Sequence, residues 1–224
     1  MINFKQISYR KYSTFLQNEK KVKQILNFWF TENYDRHSTL PPALLRKWFN
    51  PTQAIDDQIK QHFFQDLHNL KSGQYNDWEN HRDGKLASVI LADQFSRNIF
   101  RRQKDAFEYD EISLRICRQI LKQDKIYNQY KNFEKVFILL PFEHSENLDD
   151  QQTCYYNLKL LADNIVKDGY YDAEVAMNMM IKYSYQHLKV IEEFGRFPHR
   201  NEVLGRQSTP NELEYLKDGQ RYGQ

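Results

Sequence analysis

The sequence predicts an all-α fold, an antiparallel bundle or array of helices, and three observations carry that prediction. Apolar residues recur at intervals of three and four over most of the chain, the spacing that lines one face of a helix. Gly 7 and Pro 6 are few for 224 residues, whereas a strand-rich chain of this length needs many more turns. No strand-type alternation flanks a hairpin dipeptide to compete with the helical period.

Residues 1–18 are polar and aromatic without a clear period and read as an N-terminal arm, leaving 19–224 as a single all-helical domain. From Glu19 onward, Val22, Ile25, Leu26 and Trp29 follow helical spacing. Pro41-Pro42 opens a short helix carrying Leu44, Leu45 and Trp48. Asn50-Pro51 reads as a cap with Pro at the first helical position; Ile55, Ile59, Phe63, Leu67 and Leu70 then keep one face, and Gly73 ends the helix. A helix from Lys85 to about Phe100 carries Leu86, Val89, Ile90 and Phe95, and it sets Asp93 and Arg97, four apart, on or beside its buried face. Asp105 is expected to cap a helix with Phe107, Ile112, Ile116, Ile120 and Leu121. Phe133, Val136, Phe137 and Leu140 make another, expected to stop at Pro141.

Further on, residues 150–168 carry Tyr155, Leu158, Leu161, Ala162 and Ile165 before Gly169. Asp172 is expected to cap a long helix whose face runs Ala176, Met180, Tyr183, His187, Val190, Ile191 and Phe194, ended by Gly195. Thr209-Pro210-Asn211-Glu212 is a capping box with Pro at the first helical position, opening a terminal helix.

Composition narrows the function classes. Net charge is +2, from 32 basic against 30 acidic residues mixed along the chain, so neither a nucleic-acid partner nor a polybasic membrane anchor is expected. No apolar run approaches the ~20 residues of a membrane span, and the start lacks the apolar core of a secretory signal. Cys117 and Cys154 lie in apolar helical patterns, read as buried reduced thiols, and fit a cytoplasmic location.

Seven pieces of the chain resemble a known family. They are N-F-W-F (27–30), W-F (48–49), L-A-D-Q-F-S-R-N (91–98), A-F-E-Y-D (106–110), L-P-F-E-H-S-E (140–146), F-G-R-F-P-H-R-N (194–201) and L-G-R-Q-S-T (204–209). In this order they resemble the bacterial "domain of unknown function 924" family. Ser96 stands where that family usually has Pro, and Arg102 where it often has Gly. The resemblance implies a tetratricopeptide-like arrangement of antiparallel helices and no established activity.

Two of these strings carry the chemistry. In P-F-E-H-S-E, His144 with Glu146 suits an acid–base pair in which the carboxylate orients the imidazole; the competing reading is a loop capped by His144, Ser145 and Glu146. Ser145 as a nucleophile lacks a Gly-rich elbow. In F-G-R-F-P-H-R-N, Arg196, His199, Arg200 and Asn201 project from a stiff turn, with Arg206 close by in sequence. They either bind a carboxylate or phosphate or cap helix carbonyls.

Asp93 and Arg97 are either an anion clamp or a structural ion pair, and Arg101 and Arg102 read as solvated. His144, Glu146, His187 and His199 have no metal-ligand spacing, so no metal and no cofactor are assigned. Trp29-Phe30 and Trp48-Phe49 read as core, with an exposed aromatic groove for a peptide as the rival. The reading ranked first is therefore a small anionic molecule bound in a His/Glu/Arg pocket, with acid–base or hydrolytic chemistry at His144. The alternative is a helical scaffold for a protein or peptide partner.

Overall fold

A computed structural model describes residues 18–219 except 33, 36, 38 and 39. The expected arm over 1–17 lies outside the described residues, and residue 18 already belongs to the first helix. Helices α1 (18–30), α2 (Pro42–Phe49) and α3 (Gln53–Lys71) come first. Next is one long helical run: α4 (Arg82–Val89), a π-helical stretch Ile90–Phe95, and a last turn α5 (Ser96–Ile99). There follow α6 (Asp110–Leu121), the single turn α7 (Asp124–Tyr127), α8 (Asn132–His144), α9 (Leu148–Lys167), α10 (Glu174–Phe194) and α11 (Pro210–Asp218). Short 3-10 turns link several of them, and no strand occurs among the described residues, as the period predicts.

α8 is the centre of the packing. It is buried from Phe133 to Phe142 except Lys135, and it rests on α4, α6, α9 and α10. α9 in turn packs along both α8 and α10. A helix buried on nearly all sides is apolar all round, and Phe133, Val136, Phe137, Ile138, Leu139 and Leu140 supply that. Against it pack the aromatic pairs. Trp29, Phe30 and Trp48 are 0%, 0% and 5% exposed, and Trp48 Nε1 donates to the Trp29 carbonyl at 3.0 Å. They are core, as the sequence reading has it, while Phe49 is 42% exposed. Cys117 and Cys154 are buried free thiols.

Several boundaries differ from expectation. Pro141 does not stop α8; it lies inside the helix, three residues before its end. Proline removes one backbone bond there, but burying Pro141 and Phe142 in the core outweighs that loss. The cap of α3 is Thr52 rather than Asn50, so Pro51 precedes the helix. Asp105 and Asp172 fall in 3-10 turns that lead into α6 and α10 rather than capping them. The Thr209–Glu212 capping box forms as read, and Gly195 ends α10 at φ 67, a left-handed conformation open to glycine without strain.

No helix among the described residues is long and apolar enough to cross a membrane. A small second apolar cluster of Val190, Ile191 and Phe197, with Phe194 and Tyr215 against it, joins the end of α10 to α11. It holds the segment after Gly195 beside the end of α8, and so brings the two signature strings together.

Candidate functional site

The end of α8 presents His144, and the π-helical stretch presents Asp93. His144 Nδ1 lies 2.7 Å from Asp93 Oδ1, and the other carboxylate oxygen accepts from Gln94 Nε2 at 2.6 Å. Asp93 is 1% exposed. Burial pushes its carboxyl up, but His144 and Arg97 beside it, with the hydrogen bonds from His144 and Gln94, outweigh that and hold it below the usual range. An ionised Asp93 only accepts, so Nδ1 of His144 carries a proton and donates it. Arg97 Nε, 3.4 Å from the same nitrogen, is then a neighbour rather than a donor to it.

Burial pushes the His144 imidazole down from its usual value; Asp93 opposes, and Arg97 and Arg200 add to the depression. The ring is therefore neutral at neutral pH. Its side chain is 18% exposed. Nε2 makes no hydrogen bond among the described residues.

Arg97, 7% exposed, faces three groups. Nη1 reaches Asp110 Oδ1 at 3.0 Å and donates to the Ala106 carbonyl at 3.2 Å, while Nη2 stays 3.6 Å from Asp93. The i,i+4 pair read from the sequence exists, but the tighter partner is Asp110 at the start of α6.

Arg200, in the 3-10 turn Pro198–Arg200, donates from Nη1 to the His144 carbonyl at 2.9 Å. Its guanidinium lies between two rings, 4.3 Å from the Phe197 centroid and 4.8 Å from that of Phe107. Phe107 also lies against Arg97. Arg200 is 6% exposed, its buried Nε has no partner, and no carboxylate among the described residues comes within ion-pairing distance. Burial first, and the charge of Arg97 second, push its guanidinium down to about 10.

The other predicted residues group separately. Glu146 does not orient His144. It forms a two-pronged pair with Arg206 at 2.7 and 2.9 Å and accepts the Phe197 N–H at 2.8 Å. The helix ends at His144 and Ser145 is extended, which carries Glu146 away from the imidazole. Ser145 donates to Asp150.

Arg196 pairs with Glu212 at 2.6 and 2.8 Å, and Asn201 donates to Ser208 and to Glu212. His199 packs against the Phe197 ring. His187, His199 and Glu146 all meet Phe197, yet among the described residues no three His, Cys, Asp or Glu side chains are grouped to hold a metal. Arg101 is not merely solvated: it forms a two-pronged pair with the buried Asp56 at 2.7 and 3.0 Å.

Three participants escaped the sequence reading. Asp110 and Phe107 lie in the quoted A-F-E-Y-D string, and Glu143 lies within P-F-E-H-S-E. Glu143 is 5% exposed, with Oε1 3.6 Å from His187 Nδ1 and Oε2 3.9 Å from the Cys154 thiol. Burial, then the Asp93 charge, push its carboxyl up to about 8. Burial pushes His187, whose Nδ1 meets the Tyr183 carbonyl at 2.9 Å, down to about 3.

Comparison of the chain with curated proteins gives no match. A solved structure of a protein of unknown function from Agrobacterium tumefaciens aligns with a TM-score of 0.70 at 25% identity, over 90% of this chain and 99% of that one. The model of a family described as a bacterial protein of unknown function (DUF924) matches residues 25–220, and the chain belongs to that family.

Proposed function

We propose that the chain binds a small anionic molecule against Arg200 and Arg97, with His144 as the acid–base group beside it. The observation that carries this reading is the state of Arg200: a buried guanidinium with an unpartnered Nε, on which Asp110 and Glu146 act only from beyond ion-pairing distance. A buried cation is costly unless paired, and Arg97 already has Asp93 and Asp110. Arg200 is therefore the guanidinium left without a direct carboxylate contact, and a ligand carboxylate or phosphate would supply one. Asp93 fixes the Nδ1–H form of His144, so Nε2 keeps its lone pair. That suits it to take a proton from a water or a ligand group held next to the anion, in hydrolysis or another proton transfer.

The rival, a tetratricopeptide-like scaffold for a peptide, draws support from the succession of packed α8, α9 and α10. It draws none from Trp48, which is buried.

Thermal melts of the wild type and Arg200→Met with phosphate, sulfate and dicarboxylates test the proposal. At least one anion should raise the wild-type melting temperature in a concentration-dependent way. Arg200→Met should melt no lower without ligand and lose that response. A wild type indifferent to every anion, or a variant that responds equally, defeats the reading.

A further inference from the structure

A cleft lies beside the C-terminal end of the Asp93–Ile99 run, where Asn98 and Ile99 line it. It is a pocket of about 420 Å³ between the first turns of α3 and residues 98–103. That volume falls in the range of small-molecule sites. Of its nine lining residues only Ile99 is apolar, so it fits a hydrophilic occupant.

The charges at the base of the cleft cancel one another. Asp56, 6% exposed, accepts from Arg101 through both oxygens and from Asn98 Nδ2 at 2.7 Å. On the rim, Asp57 accepts from Gln53 Nε2 at 3.0 Å. Lys60 and Arg102 line the same pocket, and their side chains make no ion pair or hydrogen bond among the described residues. The lining is thus left with one positive charge in excess.

Arg102 also has φ 60, in the left-handed region, where a side chain is strained and glycine is not. A non-glycine residue held in that conformation on the rim of a pocket is the kind of strain that clusters at ligand sites.

We infer that this cleft is a binding site for a small hydrophilic monoanion, a hydroxy- or amino-carboxylate, whose carboxylate is held by Lys60 and Arg102. The polar body of the ligand meets Asn98, Gln53 and Gln103. The site is separate from the Arg97–Arg200 cluster and does not depend on it.

Isothermal titration calorimetry with glycerate, gluconate and glutamate tests the inference, with acetate and inorganic phosphate as controls. At least one of the three carboxylates should bind the wild type saturably and more tightly than acetate. Arg102→Gly removes the cation and relieves the backbone, and Lys60→Gln removes the other charge. Each should weaken binding at least tenfold while circular dichroism shows an intact fold, and Arg200→Met should leave it unchanged. The inference is overturned if none of the three carboxylates binds, if phosphate binds more tightly than all of them, or if binding survives both cleft substitutions. It is equally overturned if Arg200→Met abolishes binding, which would place the ligand in the other cluster.

Discussion

Asp93 and His144, fifty-one residues apart in the chain, share a 2.7 Å contact between Oδ1 and Nδ1 at the meeting point of the π-helical stretch and the end of α8. The contact fixes both partners at once: the carboxylate stays ionised, and the imidazole stays neutral with its proton on Nδ1.

That arrangement has a direct spectroscopic consequence. In NMR titrations His144 should titrate below its ordinary 6.5 and show the Nδ1-protonated tautomer. Asp93 is the group that raises His144 against burial and the arginines, so Asp93→Asn should lower the titration point further. A rise in Asp93→Asn would contradict the assignment.

Glu143 and His187 set opposite limits on stability with pH. Glu143 has its folded value raised from 4.5 to about 8, so its contribution is fully present below 4.5 and is lost as pH rises toward 8. His187 has its folded value lowered from 6.5 to about 3, so its contribution is present above 6.5 and is lost as pH falls toward 3. Between 4.5 and 6.5 the two slopes oppose; above 6.5 Glu143 alone acts and stability falls. Glu143→Gln should remove the alkaline slope and gain on the order of 4 kcal/mol near pH 8, at about 1.4 kcal/mol for each tenfold change in proton affinity. Denaturant unfolding at pH 6, 7 and 8 measures it, and parallel curves for variant and wild type would refute it.

Arg196 is predicted to hold structure rather than ligand. Its hydrogen-bonded pairing is the main cause that holds Glu212 down to about 2, and Glu212 is 2% exposed at the start of α11. That contribution is present above 4.5 and is lost as pH falls from 4.5 toward 2. Arg196→Met should lower the melting temperature by several degrees at pH 7, and the deficit should shrink below pH 4. An unchanged melting temperature at pH 7 would show that the pair holds nothing.

Trp29, Trp48 and Trp78 are 0%, 5% and 2% exposed. Their fluorescence should resist acrylamide, including that of Trp48 isolated in a Trp29→Phe, Trp78→Phe background. Strong quenching of Trp48 would restore the peptide-groove reading.

Much of the fold was legible because its signals are local. The 3.6-residue period, the Thr209 box and Gly195 act within a few neighbours, and each appears where it was read. The meeting of Asp93, Arg97, His144 and Arg200 was partly legible as well, since charged residues on apolar faces must find partners. Which partner each finds was not. Nothing near His144 in sequence singles out Asp93 over Glu146; packing of the π-helical stretch on α8 decides it. Asp110 and Glu143 escaped for the same reason. Pro141 misled because the local rule for proline was outweighed by burial of the whole α8 surface.

The wide turn at Ile90–Phe95 accommodates one more residue than an α-helix of the same rise would hold. Deleting one codon there would return the turn to the ordinary pitch and rotate everything before it by about 100° against everything after it. Asp93 would then lose its register with either Arg97 or α8. A substitution changes one side chain; an insertion or deletion at this point re-aims an entire helix. The dyad is thus a property of chain length at one turn as much as of the residues that compose it.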